Sequence, residues 1–434
     1  YKSIFIIICF LHISFSQSII DSNFPSRLLH VHYNENTDIQ LKDSHPLSIR
    51  FKNFFYLNNN LPNLENINGI FIPKGIGSYA SMSYKFNMEN IFISFEPMIY
   101  NRIDYKINVP EKIKSFSVLN DVPNYNFKHN RIINSGIIVK NDLISTGYGN
   151  WNNWWGAGVH NSLILSNNSQ GFYHYFLSTN GFKKIYKNLF FKSNYLVSEG
   201  MQNFVGDKYF LSAWYLIFKY KEFEFGIASN TLSGGYGDIK WTIEDAYLLL
   251  FTKKNNKYWD KNNYLFFKSL IPSSKLTIFA EIGFPKQNIN ESTINYSYDH
   301  GIATNFGFRK IDLFNNESLI FGFEYARLLQ DVNYDKIPSS NWYDNIKYNY
   351  SSFKGRRWGA HSGSDSDDLL IYIGYLDPKI SLIYEINYER HGITHHFPPE
   401  VKFERRISSS YIIKNTSFSL IYENEHYEHY GFVD

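Results

Sequence analysis

From Ser78 onward the chain repeats one pattern, with large apolar residues at every second position. Met82, Tyr84 and Phe86 alternate with Ser81, Ser83 and Lys85, and Phe223, Phe225 and Ile227 with Glu222, Glu224 and Gly226. The pattern returns as Leu319, Phe321, Phe323 and Tyr325 against Gly322, Glu324 and Ala326, then as Leu382, Tyr384, Ile386 and Tyr388 against Ser381, Glu385, Asn387 and Glu389. Period two predicts strands with one apolar face and one polar or small face. A soluble sandwich would turn the apolar face inward, whereas a membrane barrel turns it to lipid and lines a wet lumen with its glutamates. The candidate strands run to about ten residues, the length a tilted strand needs to cross a bilayer. Aromatic residues recur near their ends, as interfacial girdles require. The expected fold is therefore all-β: a large antiparallel outer-membrane β-barrel of about 16–18 strands, with a short non-strand N-terminal segment and lumen-filling loops.

Short polar breaks fall at Lys187-Asn188, Lys221, Pro272-Ser273-Ser274, Asn315-Asn316, Asp377-Pro378 and Asn415. Longer polar connections lie near 199–208, 230–244, 285–298, 328–367 and 390–402. Barrels of this class alternate short periplasmic turns with long outer loops. Counting back from Asn415, the alternation holds as far as Pro272 and then slips by one, which points to a strand miscounted between about 230 and 262.

Ahead of the strands, Tyr1-Lys2-Ser3 precede an apolar run from Ile4 to Phe15 that closes on Ser14-Phe15-Ser16. A charge, a short hydrophobic region and a small-x-small exit predict a secretory signal peptide over residues 1–16. Cys9, the only cysteine, lies inside it, so disulfides and thiol chemistry are not expected of the mature chain. Tyr1 in place of Met, and an end at Tyr430-Gly431-Phe432-Val433-Asp434 with no terminal aromatic, give the expectation of a chain cut short at either end. Residues 17–76 do not read as alternating. Arg27-Leu28-Leu29 and Leu47-Ser48-Ile49-Arg50-Phe51 could open short helices, but Asn58-Asn59-Asn60 and Pro62 interrupt. A periplasmic cap or lumen plug is expected there, with a flexible leader as the plainer option. The transmembrane β-barrel is then expected over 77–434. No later stretch offers the ~20 apolar residues of a membrane helix, so an exported chain in a membrane must be a closed barrel.

Composition adds weight to strands. Aromatic residues make up 19% of the chain, with 35 Tyr and 38 Phe against 4 Met, while mean hydropathy is only −0.34. Aromatic and β-branched side chains favour a pleated surface. The formal charge is +3, or 3 − 1 = +2 once Lys2 leaves with the leader, too balanced for an electrostatic nucleic-acid footprint.

Two stretches break the pattern. Gly147-Tyr148-Gly149-Asn150-Trp151-Asn152-Asn153-Trp154-Trp155-Gly156-Ala157-Gly158-Val159-His160-Asn161, continuing through Leu165-Ser166-Asn167-Asn168, packs three of the eight tryptophans into five residues among glycines and asparagines that favour irregular backbone. Later comes Arg356-Arg357-Trp358-Gly359-Ala360-His361-Ser362-Gly363-Ser364-Asp365-Ser366-Asp367-Asp368. In order and wording the two resemble the capsule-assembly Wzi family of outer-membrane proteins, although Ala157 stands where that family usually has Pro. The resemblance implies a closed barrel of about eighteen strands, a helical segment at its periplasmic mouth, and a lectin of the cell outer membrane that holds or organises capsular or other surface polysaccharide.

The residues make such chemistry available. Sugars present apolar C–H faces ringed by hydroxyls; Trp151, Trp154 and Trp155 could be platforms, and Asn167, Asn168 and the neighbouring amides both donors and acceptors. Arg356 and Arg357 could clamp an acidic sugar, beside Trp358, His361, Asp365, Asp367 and Asp368. The plainer reading has Trp151, Trp154, Trp155, His160, Asn167 and Asn168 filling the lumen, their amides satisfying irregular backbone, and the acidic run as a solvated loop. The balance adopted assigns the tryptophan stretch to the lumen and ligand recognition to the loop holding Trp358 and Asp365 to Asp368. No metal or cofactor is expected: Asp365-x-Asp367-Asp368 lacks the glycine and closing glutamate of an EF-hand, and of the pairs that could bind a transition metal, His395-His396 and His426-x-x-His429, the second has a helix spacing in what reads as a strand or chain end. No enzyme is expected either, since His361 and Ser362 are neighbours that point apart on a strand. The expected partners are surface polysaccharide and outer-membrane lipid, with no nucleic acid, and the chain is expected to be a monomer. The rival class is a passive porin, which requires an open lumen.

Overall fold

The structure, a computed structural model, describes residues 6–14, 46–59, 61, 65–70, 72–104, 130–199, 201–202, 208–234, 260–285, 302–328, 342–343, 352–354, 356–394, 397–414 and 416–432. Alternation writes the strands. They are β1 (Ile6–Ser14), β2 (Leu47–Asn58), β3 (Gly75–Asn87), β4 (Ile91–Asp104), β5 (Asn130–Lys140), β6 (Ile144–Gly149), β7 (His174–Thr179), β8 (Lys183–Tyr186), β9 (Leu189–Ser198), β10 (Met201–Gln202) and β11 (Lys208–Tyr220). There follow β12 (Phe223–Gly234), β13 (Asp260–Ile271), β14 (Leu276–Pro285), β15 (Ala303–Leu313), β16 (Asn316–Leu328), β17 (Ser352–Phe353), β18 (Arg356–Arg357), β19 (Ser366–Leu376), β20 (Ile380–His391), β21 (Glu400–Ile413) and β22 (Thr416–Glu428). No α-helix occurs among the described residues.

Twenty of these strands join in one sheet, and β17 and β18 pair separately. All pairings are antiparallel and most join chain neighbours, and β1 closes the ring by pairing with β2 on one side and β22 on the other. Because β7 and β8 run in succession along β9, and β10 extends β9 along β11, the ring has 20 − 2 = 18 strand positions. An even number is what antiparallel closure demands, and this is the fold of outer-membrane β-barrels.

The two faces behave oppositely. On β20, Leu382, Tyr384 and Tyr388 are exposed on the outside while Glu385, Asn387, Glu389 and His391 are buried inside. On β16, Phe321, Phe323 and Tyr325 stand outward of the buried Glu324. Inside, a cluster running from Trp155, Leu163 and Leu165 to Trp342 and Trp358 fills one part of the lumen, and a second gathers Phe54, Tyr56, Ile72, Tyr79, Met98 and Tyr100.

Three expectations change. The wall begins before residue 77: β2 lies within 17–76 and pairs with β3 over its whole length. Its Leu47, Ile49, Phe51, Phe55 and Leu57 do alternate outward, but inward Phe54 and Tyr56 are aromatic too, so the polar beat is lost to the eye. Leu47 to Phe51 open this strand and not a helix; Arg27-Leu28-Leu29 and most of the expected cap lie outside the described residues. The slip near 230–262 also disappears. β12 and β13 pair directly, so among the described strands short turns alternate with longer intervals throughout. Lastly, Ile6–Ser14, within the stretch expected as a leader, form β1.

Candidate functional site

Short turns fall at 88–90, 141–143, 187–188, 221–222, 272–275, 314–315, 377–379 and 414–415, so they share one end of the barrel. From the other end three connections fold inward: 59–74, 150–173 and parts of 329–365. Together they form a plug, and both sequence motifs lie in it.

The tryptophan stretch is bound to the wall first through its backbone. Asn150 exchanges hydrogen bonds with Ser135, its N–H donating to Ser135 O at 2.9 Å and its Oδ1 accepting from Ser135 N–H at 2.7 Å. Trp151 donates Nε1–H to Ser94 Oγ at 2.9 Å, its ring lying against Gly136 and Gly149, where a β-carbon would come within 2.5 Å of it. Trp154 donates to Gly158 O, and buried Trp155 meets Tyr215 edge-on at 4.8 Å. The Gly156-Ala157-Gly158-Val159-His160-Asn161 turn then aims successive N–H groups at two wall carboxylates. Glu281 accepts from Ala157 at 2.7 Å, Gly158 at 3.1 Å and Leu163 at 3.1 Å. Glu324 accepts from Val159 at 2.8 Å, His160 at 3.1 Å and Asn161 at 2.5 Å. This is an anion-binding nest of backbone donors. Its glycines are steric: a β-carbon on Gly156 would stand 2.6 Å from Glu281 Oε1, and one on Gly158 2.6 Å from Glu324 Oε1. Neither glutamate stands out in the sequence as anything more than a lumen-face residue.

Leu165-Ser166-Asn167-Asn168 stitches the three plug segments together. Ser166 N–H donates to Trp358 O at 2.8 Å, Asn168 Nδ2 to Arg357 O at 3.1 Å and Asn167 Nδ2 to Asn66 O at 3.0 Å. Asn66 Nδ2 in turn donates to His160 O at 2.8 Å.

The second motif is equally internal, which corrects the expectation of a solvent-facing recognition loop. Trp358 and Asp365 are wholly buried, and Arg356, Arg357, His361, Asp367 and Asp368 are no more than 4% exposed. Trp358 packs edge-on against Tyr343 at 5.7 Å, Arg356 donates to Ile70 O at 2.6 Å, and the Arg357 guanidinium lies over Gly363, whose positive φ of 76° suits a residue without a side chain. The carboxylates do not act as one cluster. Asp365 accepts from Thr394 N–H at 3.1 Å, Asp367 pairs in two-pronged fashion with Arg390, and Asp368 turns into the plug. Their spacing i, i+2, i+3 straddles the entry to β19, so pleating sends them different ways.

Asp368 ties the two motifs to each other. Its Oδ2 accepts from Asn161 Nδ2 at 2.7 Å and lies 3.2 Å from His160 Nε2 and 3.1 Å from His361 Nε2. The two imidazoles meet at 4.4 Å. Glu389 Oε1 lies 3.4 Å and Glu65 Oε2 3.9 Å from His361 Nε2. Burial alone would favour neutral His361, but the charges of Glu389 and Asp368 outweigh it and hold its pKa up to about 10. Beyond them, Lys402 is within ion-pair distance of Glu65, Glu389, Glu404 and Glu425, and Arg406 of Glu65, Glu385, Glu404 and Glu423.

No protein-family model matches this sequence, and no curated protein does. Solved structures do match. The chain is similar over 97% of its length, and 84% of the other's, to Wzi of Escherichia coli, with a TM-score of 0.59 and 9% identity. That protein is an outer-membrane protein involved in group 1 capsule assembly and a carbohydrate-binding β-barrel. OprB of Pseudomonas putida matches at a TM-score of 0.43 and 8% identity, over 98% of this chain and 93% of that one. OpdK of Pseudomonas aeruginosa, solved with vanillate, matches at 0.40 and 8%, over 98% of each. At such identities the likeness to Wzi is one of fold.

Proposed function

We propose that the protein sits in the outer membrane as a barrel closed by its own inserted segments, and binds capsular or other surface polysaccharide there without catalysis. The observation that carries this reading is the plug: two motifs that make up a single hydrogen-bonded body inside the wall, in a fold shared with a carbohydrate-binding barrel. A passive pore has no use for such a body, whereas a surface that must present fixed groups to a polymer needs a rigid support.

Burial reassigns the roles. Arg356, Arg357, Trp358, His361, Asp365, Asp367 and Asp368 support the outer surface from beneath. Within the first motif, Trp151, Asn152, Asn153 and Trp154 are half-buried, an indole-and-amide set suited to sugar faces and hydroxyls. Phe397, 86% exposed on the connection between β20 and β21, adds an aromatic at the same end. The test is retention of purified surface polysaccharide on the immobilised protein, together with capsule attachment in cells lacking the gene. Retention by wild type, weakened by Asn153→Ala with Phe397→Ala, is expected; no retention with capsule still attached would end the lectin reading.

A further inference from the structure

We propose that His160, His361, Asp368, Glu389 and Glu65 form a binding site for one divalent transition-metal ion of the zinc class, at the joint between plug and wall. The five come from the plug segments 59–74, 150–173 and 329–365 and from strands β19 and β20, so no short spacing in the sequence reveals them.

One ligand atom each from Glu65, His160, His361 and Glu389 lies within 4.8 Å of all the others. The two Nε2 atoms converge on the same Asp368 oxygen at 3.2 and 3.1 Å, and Glu389 and Glu65 oxygens stand 3.4 and 3.9 Å from His361 Nε2. Donors bound at zinc distances in a tetrahedron are about 3.4 Å apart, so these spacings bracket what an ion would set. Two imidazoles with carboxylates select zinc, manganese or iron over magnesium and calcium, which prefer all-oxygen shells.

Two further observations point to a ligand. His361 is 4% exposed, and its Nε2 is aimed into the group, 3.1 Å from Asp368 and 3.4 Å from Glu389 but in hydrogen-bond geometry with neither. The candidate ligands are also held from behind: Asn161 Nδ2 and Asn387 Nδ2 both donate to Asp368, and Asn66 lies 3.2 Å from His361 Nδ1. Such outer partners orient metal ligands. Asn66 is itself fixed by its Nδ2–H bond to His160 O at 2.8 Å, so it packs on the Nδ1 side of the His361 ring and leaves Nε2 facing the group.

The full chain, folded in detergent with zinc chloride present and then desalted, is expected to retain about one zinc per chain by elemental analysis. His160→Gln with His361→Gln should lower that at least tenfold while the heat-modifiable folded band persists. Should the double variant fail to fold, wild type loaded with cobalt(II) decides: a visible spectrum of four- or five-coordinate nitrogen and oxygen ligation supports the site. Zinc below about a tenth of an equivalent in folded wild type, undiminished zinc in a folded double variant, or a cobalt spectrum like that of the aqueous ion would each overturn it.

Discussion

At Gly158 the difference between hydrogen and methyl decides whether the plug reaches its anchor. A β-carbon there would sit 2.5 Å from Asn161 O and 2.6 Å from Glu324 Oε1, both held by other bonds. Gly158→Ala should cost about 1–3 kcal/mol, as forced overpacking does, read as a lower urea midpoint for the folded band. The acidic run offers a sharper contrast. Asp367 pairs with Arg390, whose side chain is 43% exposed, so Asp367→Asn should cost under about 1 kcal/mol. Asp368, buried against two histidines, should cost about 3–5 kcal/mol when changed to Asn. A refolding titration of both variants that gave equal losses would contradict this division. The glycines and amides of the motif were legible as lumen-filling material because their chemistry is local. Glu281 and Glu324, 118 to 165 residues distant from the groups they bind, were not: a lumen-facing glutamate looks the same whether it meets water or a backbone nest.

Along single strands, legibility depended on contrast between faces. β16 and β20 set large apolar residues against glutamate and asparagine, and their register could be read directly. β2 is harder to read because, after inward Ser48 and Arg50, its inward Phe54 and Tyr56 join an aromatic cluster, so the contrast between faces fails over its second half. The outward face makes its own prediction. Phe323, mid-way along β16, stands on the opposite face from Glu324, and Phe323→Arg should cost about 2–4 kcal/mol in a bilayer. Folding the variant into phospholipid vesicles against urea measures it; a loss under about 0.5 kcal/mol would mean that this face does not meet lipid.

For the whole molecule, the plug separates a closed barrel from a pore. Planar-bilayer recordings of wild type should show no steady large current, while Glu281→Ala with Glu324→Ala, which leaves the Gly156 to Leu163 turn without its acceptors, should admit one. Steady conductance in wild type would favour the porin reading instead. The same anchoring carries a consequence in time. Wall strands pair with chain neighbours across short turns, but plug contacts join residues as far apart as Asn66 and His361, 295 positions along the chain. Loop-closure entropy is paid before such contacts return anything, and it is paid again at the β1–β22 seam, where Ile6 pairs with Glu423, farther off still along the chain. Neither the seam nor the joint between Asn66 and His361 can close until most of the chain has been made, so a chain released early lacks the wall's last partner and the plug's anchor together.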